Sequence, residues 1–394
     1  MNQNPLSISL CMIVKNEQDF IADCLDSVSS IVSEIIIADT GSTDRTVEIA
    51  KAKGAKVFNF TWQDDFAAAR NATIEKATCD WILILDADEV IAQQDLGMFT
   101  HLISDRTRCI EFLQRHYTDD IRLSDFTPCT KEFPLLEKNY PGYFESNCVR
   151  LFPNNDGLYY QFRVHELVEP SIQSKGIHRI ERSKVRIHHY GHTPEVRARK
   201  KKGEIYTPLG EKKIQDQPTD WKAFYELGVE ANVNGRKEDS IIAFKESLKL
   251  NPRYVATWVN FGYVLMESQK FQEAYDALMQ AINLDTQNAE AFCNLGVVGL
   301  RTNNLKLAEE ASIKAITLNP TYINALRNLA RCYVSQSRIA EAVMILKRAH
   351  RAVPAFVPIL QDLFMIYEQS GQKNASAKYL KMIQALDPNF EVSN

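Results

Sequence analysis

Apolar and polar positions follow two different rhythms along this chain, and the change of rhythm divides it. In the first rhythm, short unbroken apolar runs alternate with stretches of helical spacing. Residues 8–14 form such a run and end at Lys15, Asn16 and Glu17. Over residues 18–30, Phe20, Ile21, Cys24, Leu25 and Val28 then recur at the spacing of an amphipathic helix. The pattern predicts a second strand over 34–39, a turn at Thr40, Gly41, Ser42 and Thr43, and a helix over 44–53. It predicts a third strand over 56–60, a helix over 66–77 and a fourth strand over 81–85. Strands alternating with helices of this length imply βαβ units and a parallel sheet. Their near-continuous apolar character fits a sheet covered on both faces.

The second rhythm is a repeat. Pro218, Pro252, Pro320, Pro354 and Pro388 stand 34 residues apart or twice that, with Thr286 in the vacant place. The same phase carries Gly228, Gly262, Gly296 and Ala330, the apolar Leu227, Phe261, Leu295, Leu329 and Leu363, and the small Ala281, Ala315 and Ala349. Each unit reads as two helices: small residues let them approach closely, and a proline ends the unit because it cannot continue a helix. This pattern resembles the tetratricopeptide repeat, and about five units cover 219–388. The last, with Phe364 at the glycine place, reads as a cap. Such stacks present a concave surface that suits an acceptor peptide, with a dimerisation or scaffolding surface as the alternative.

Composition narrows the classes. At 394 residues the chain is too long for one ordinary core and suits two domains. A net charge of −4 argues against a nucleic-acid binder, which needs a basic excess. No apolar run approaches the ~18 residues of a membrane span. Residues 1–5 show no basic start leading into an apolar run, which predicts no signal peptide. Eight cysteines are scattered without a CxxC pair, predicting free thiols in a reducing, cytoplasmic compartment and no zinc site. Pro194, Gly203, Pro208, Gly210 and Pro218 mark a boundary between a first domain over 1–205 and a linker helix plus repeats over 206–394. The basic run Arg197, Arg199, Lys200, Lys201 and Lys202 falls there and reads as the solvated face of that linker. Residues 118–143 read as a loop over the site.

In an open α/β sheet, ligands sit at the carboxyl ends of the strands. Here those ends carry Glu17, Asp39 and the run Asp86, Ala87, Asp88, Glu89. Two carboxylates one residue apart in a turn can share one hard cation and leave positions for phosphate. A solvated turn or a helix N-cap would use the same residues, and the spacing alone does not separate these readings.

The segments 8–17, 35–46, 64–71 and 81–89 resemble family 2 glycosyltransferases of the GT-A fold. Adding the repeats, the layout is similar to peptide S-glycosyltransferases of the sublancin kind and related protein glycosyltransferases. That likeness extends through Arg150-Leu151-Phe152, Arg163-Val164-His165-Glu166 and His188-His189-Tyr190-Gly191. The resemblance implies a GT-A nucleotide-sugar-binding domain with a mostly parallel sheet, followed by an all-α repeat solenoid. It implies that Glu17 and Asp39 contact the uracil and ribose of a UDP-sugar. Arg70 would lie near the nucleotide phosphates, Asp86 at the ribose or metal, and Asp88 and His189 on a divalent cation, Mn²⁺ or Mg²⁺. His188 is the alternative to His189, and His192 reads as peripheral. Glu166 stands where family members place the catalytic base, although this chain has His165-Glu166 where many have a Glu-Asp pair. His165 is the alternative base or the residue that orients Glu166.

The expected function is metal-dependent inverting transfer of a sugar from a nucleotide-sugar to a protein or peptide held by the repeats. The alternatives are the same donor chemistry on a glycan or lipid-linked acceptor, and an inactive transferase–repeat scaffold. The residues leave a homodimer open.

Overall fold

A computed structural model of the chain describes residues 7–193 and 218–387 except Arg122, Ser124 and Asn139, together with Val196, Ile214 and Phe390. The basic run from Arg197 to Lys202, and Pro194, Gly203, Pro208, Gly210 and Pro388, lie outside the described residues. The chain divides into two compact units, one taking residues up to Asp119 and from Cys129 to Leu209, the other residues 120–128 and those from Gly210 on.

The first unit is built on a sheet. Its strands are β1 (Ile8–Val14), β2 (Glu34–Asp39), β3 (Lys56–Asn59), β4 (Trp81–Ile84), β5 (Glu89–Ile91), β6 (Arg108–Thr118), β8 (Gly142–Pro153) and β9 (Arg179–His189). The two-residue strand β7 (Thr127–Pro128) falls within 120–128. Helices α1 (Ile21–Val28), α2 (Thr46–Ala52) and α3 (Phe66–Ile74) connect the first four strands. Later come α4 (Phe99–Leu102), α5 (Pro134–Glu137) and α6 (Glu169–Lys175). The strands lie in the order β3-β2-β1-β4-β8-β6-β9-β5.

The half β3-β2-β1-β4 is parallel throughout, as the alternating pattern implies. The other half is mixed: β8 runs antiparallel to β4 and β6, β9 runs parallel to β6, and β5 returns antiparallel to β9. The sheet is thus parallel throughout its first half and mixed in its second, where β6 and β9 are the parallel pair. Period-2 alternation sends successive side chains of one strand to opposite faces. Ile8, Leu10, Met12 and Val14 of β1, with Trp81 and Leu83 of β4, join one buried cluster that includes Ile21, Leu25 and Val28 of α1. Cys11, Ile82 and Ile84 join another with Ala67 of α3 and Ile172 of α6. The sheet is thus covered on both faces.

Glu34 ties the bottom of the parallel half together. Its Oε1 accepts from Ser9 Oγ at 2.6 Å, Thr78 N at 2.6 Å and Thr78 Oγ1 at 2.9 Å, and its Oε2 accepts from Lys56 Nζ at 2.9 Å. Burial pushes this carboxyl up, but those donors prevail and hold it down at about 2. A depressed carboxylate contributes stability that is present above its unfolded pKa, ~4.3, and lost as pH falls through the folded value. Glu34→Gln is expected to cost about 1.5–3 kcal/mol at neutral pH, the range for hydrogen bonds to a charged group. In urea unfolding, the gap between wild type and variant should close between about pH 4.3 and pH 2. A gap that does not depend on pH would mean that the charge of Glu34 contributes nothing.

The second unit is helical over 221–386, in five pairs. These are α7 (Trp221–Val233) with α8 (Lys237–Leu250), α9 (Val255–Glu267) with α10 (Phe271–Leu284), and α11 (Ala289–Arg301) with α12 (Leu305–Leu318). Then come α13 (Ile323–Ser335) with α14 (Ile339–Ala352), and α15 (Val357–Gln369) with α16 (Lys373–Leu386). The first helix of each pair begins 34 residues after the last one, at Trp221, Val255, Ala289, Ile323 and Val357. The glycines of the repeat mark close approach within a pair. A Cβ on Gly262 would stand 2.7 Å from Leu278 Cγ, and one on Gly228 2.6 Å from the Phe244 ring. Residues 120–128 contribute Ile121 and Phe126 to the buried cluster around Leu326, Leu329 and Leu360. The expected loop over 118–143 thus divides between the two units, and it contains α5.

Candidate active site

The carboxyl ends of β1, β2 and β4 lie side by side, with Val14 opposite Asp39 and Cys11 opposite Ile84. The segment after β1 is laced to the turn after β2. Asn16, at φ +57°, accepts from Thr43 N at 2.7 Å through Oδ1, and Glu17 N donates to Thr46 Oγ1 at 2.7 Å. Asp39 is buried, and both its oxygens accept from Ser42 N, at 3.0 and 3.3 Å. Its carboxylate therefore shapes the Gly41–Ser42 turn and does not cap α2.

After β4 the chain enters a charged cluster. Arg70 of α3 is buried, donating from Nε to Glu166 Oε1 at 2.7 Å and from Nη2 to Asp86 Oδ1 at 2.8 Å. Its Nη1 is buried without a hydrogen-bond partner. Asp65 caps α3 by accepting from Ala68 N at 2.8 Å. Arg150 of β8, for which no role was expected, is equally central. Its Nη2 donates to Asp86 Oδ2 at 3.2 Å and to Glu89 Oε1 at 3.0 Å. Burial alone would raise the Asp86 carboxyl, but the Arg70 and Arg150 guanidinium groups hold it well below the usual range. Glu89 is fully buried, which raises its carboxyl against the pull of Arg150. It accepts from Asp86 N at 2.7 Å and from Gln114 Nε2. His165 is exposed beside Glu166, at φ +54°.

Asp88 lies on the other side of this run. Strand register places Glu89 of β5, His189 of β9, His116 of β6 and Phe144 of β8 in one row. Asp88 is 5% exposed, and its Oδ1 stands 3.6 Å from His189 Nε2. His189 Nδ1 meets His116 Nδ1 at 2.7 Å, and His116 Nε2 meets Ser146 Oγ at 2.7 Å. His192 stands edge-on to His116, ring centres 5.3 Å apart, and one nitrogen from each of His116, His189 and His192 lies within 4.8 Å of the others. The reading of His192 as peripheral is corrected: the turn after β9 folds it back onto the histidine pair. His116 carried no signal in sequence, being 73 residues from His189. His188 does not join the group. Alternation along β9 turns it to the other face, where Tyr117 Oη meets its Nδ1 at 2.8 Å. Burial, with Arg115 and Arg186 nearby, lowers it to about 3.

Residues 9–152 match the family described as glycosyl transferase family 2. The chain carries a family 2 glycosyltransferase domain. Residues 262–302 and 289–322 match tetratricopeptide repeat families, so this domain is followed by such repeats. Among similar proteins, a TPR repeat-containing protein of Synechococcus elongatus is 40% identical over 165 residues, 42% of this chain and 36% of that one. The glycosyltransferase SunS of Bacillus phage SPbeta is 29% identical over 244 residues, 61% of this chain and 53% of that one. An uncharacterized glycosyltransferase of Rickettsia typhi is 33% identical over 141 residues, 34% of this chain and 48% of that one. The chain thus spans about half, or less, of the length of these relatives.

Proposed function

We propose that the first unit transfers a sugar, with inversion, from a nucleoside-diphosphate sugar to a protein or peptide side chain held by the repeats. The observation that carries this reading is the acidic edge: Glu17, Asp39, Asp86 and Asp88 collect at the carboxyl ends of three adjacent parallel strands. UDP is the nucleotide we assign, with Glu17 and Asp39 toward its uracil and ribose. Arg70 keeps Nη1 as an N–H for the phosphates.

Asp88 and His189 are the proposed holders of a divalent cation, and the residues fit one. A Cβ on Gly191 would stand 2.4 Å from His189 Nε2 and 3.0 Å from Asp88 Oδ2, so the glycine keeps the space between those two groups open. A cation bound there supplies positive charge where the leaving diphosphate becomes more negative. The acceptor oxygen or sulfur attacks the anomeric carbon as the bond to the β-phosphate oxygen breaks, and Glu166 takes the acceptor proton. Arg70 Nε occupies Glu166 Oε1 at 2.7 Å, so in this reading Arg70 turns toward the donor phosphates as they bind and leaves that oxygen to the acceptor.

The free cysteines, eight among the described residues, support a reducing compartment. No described helix is long and apolar enough to cross a membrane. The test is calorimetric unfolding with a panel of nucleoside diphosphates, with and without Mn²⁺. A ligand at about 100 times its Kd adds about 2.7 kcal/mol. A rise in melting temperature with UDP that depends on Mn²⁺ is expected, and no rise with any nucleotide would overturn the reading.

A further inference from the structure

The chain Ser146–His116–His189 is continuous. His116 Nε2 lies 2.7 Å from Ser146 Oγ, and His116 Nδ1 lies 2.7 Å from His189 Nδ1. The remaining nitrogen, His189 Nε2, faces Asp88 Oδ1 at 3.6 Å across the space that Gly191 leaves open. A neutral imidazole has one N–H and one bare nitrogen, so each of these contacts has a direction. Only two directions are consistent along the whole chain. In the outward one, His189 Nδ1–H donates to His116 Nδ1, His116 Nε2–H donates to Ser146 Oγ, and His189 Nε2 is bare toward Asp88. In the inward one, the Ser146 hydroxyl donates to His116 Nε2, His116 Nδ1–H donates to His189 Nδ1, and His189 Nε2–H points at the Asp88 carboxylate. Both rings stay neutral in both directions, and the number of protons is the same.

We propose that His116 is a positioning residue that sets the tautomer of His189 and thereby the affinity of the cation site. This rests on the reading of Asp88 and His189 as the cation's ligands. A cation needs a bare nitrogen, so only the outward direction can bind one. His116 makes that direction accessible by accepting the proton that His189 must then carry on Nδ1. The group is built to keep its orientation. His116 is 7% exposed and stacks on Phe144, with ring centres 4.5 Å apart and planes inclined by 13°. It sits directly opposite His189 in the β6–β9 register. Because the chain can reverse without gaining or losing a proton, the cation enters without releasing one from these histidines. Without the His116 nitrogen, the bond that favours a proton on His189 Nδ1 is lost, and the balance moves toward the tautomer with Nε2–H toward Asp88.

Two substitutions separate this role from packing and from direct ligation. His116→Phe keeps a flat ring against Phe144 but removes the acceptor. His116→Asn loses the ring but can place its amide oxygen where Nδ1 stood. Mn²⁺ affinity of the full-length chain, without substrate, is measured by isothermal titration calorimetry and by the loss of the free-ion electron paramagnetic resonance signal. Removing a partner that orients a metal-binding histidine costs about 10–100-fold in affinity. His116→Phe is expected to weaken Mn²⁺ by that factor, and His116→Asn to recover most of it. Wild-type affinity in His116→Phe would overturn the proposal. Equal loss in His116→Phe, His116→Asn and His192→Ala would overturn it in favour of direct ligation by all three histidines. Asp88→Ala serves as the control on the underlying reading. Undiminished Mn²⁺ affinity there would overturn the cation site itself, whatever the His116 variants do.

Discussion

Asp88→Ala is expected to lower the rate of sugar transfer by about 100-fold or more while leaving the protein folded. The magnitude follows from removing one fixed group that stabilises charge on the leaving diphosphate, which costs about 2.7–4 kcal/mol in comparable sites. The structural side is mild. The backbone carbonyl of Asp88 accepts from Tyr190 N at 3.0 Å, and that bond survives the substitution. The ion pairs of the neighbouring cluster run through Arg70, Asp86, Arg150 and Glu89, and do not use the Asp88 carboxylate. The variant should therefore keep its circular dichroism spectrum and its cooperative melt, and lose only the Mn²⁺-dependent part of the UDP stabilisation. Transfer at the wild-type rate would remove Asp88 from the site.

Arg150→Met is expected to have the largest effect on stability, about 3–5 kcal/mol, because it leaves buried carboxylates without their counter-charge. Glu89 has no exposed surface, and Arg150 is the cation that meets it. Asp86 suffers less, since Arg70 remains on its other oxygen at 2.8 Å. Without Arg150, burial acts on Glu89 with less opposition, and its folded pKa rises further above the unfolded ~4.3. A group whose folded pKa is raised contributes stability below the unfolded value, lost as pH rises toward the folded one. Because the wild-type Glu89 carboxyl already stands at about 8, the deficit of Arg150→Met should grow as pH rises through about 8 and change little below it. Adding Glu89→Gln should recover part of the loss above about pH 8. Urea unfolding at several pH values measures both effects. A loss below about 1 kcal/mol, within the range of surface ion pairs, would mean that water reaches the cluster.

Much of the architecture was legible in sequence because it rests on local periodicity. Residues 8–14, 34–39 and 81–85 read as buried strands because runs of apolar residues between turn signals have few other solutions. The repeats read even more plainly: a spacing of 34 that recurs through five pairs fixes where each pair begins, since each unit faces the same packing problem as its neighbour. Asp39, Asp86 and Asp88 were readable as site candidates because a residue at the end of a parallel strand is positioned by that strand alone.

What the sequence determined by itself is thus the list of elements, the order of the first four strands' connections, the repeat register and the acids at the strand ends. Only the tertiary structure decided the mixed half of the sheet and everything that depends on it. Strand β6 pairs with β8 and β9 across separations of 24 to 73 residues, and no local pattern encodes which strand lies beside which. That pairing carries Arg150 to Asp86 and Glu89, brings His116 against His189, and turns His188 away on the opposite face. These contacts are electrostatic and directional, so they appear only once distant strands have been brought into register. The buried charges and the histidine row are for that reason properties of the folded sheet, whereas its strands and repeats are properties of the chain.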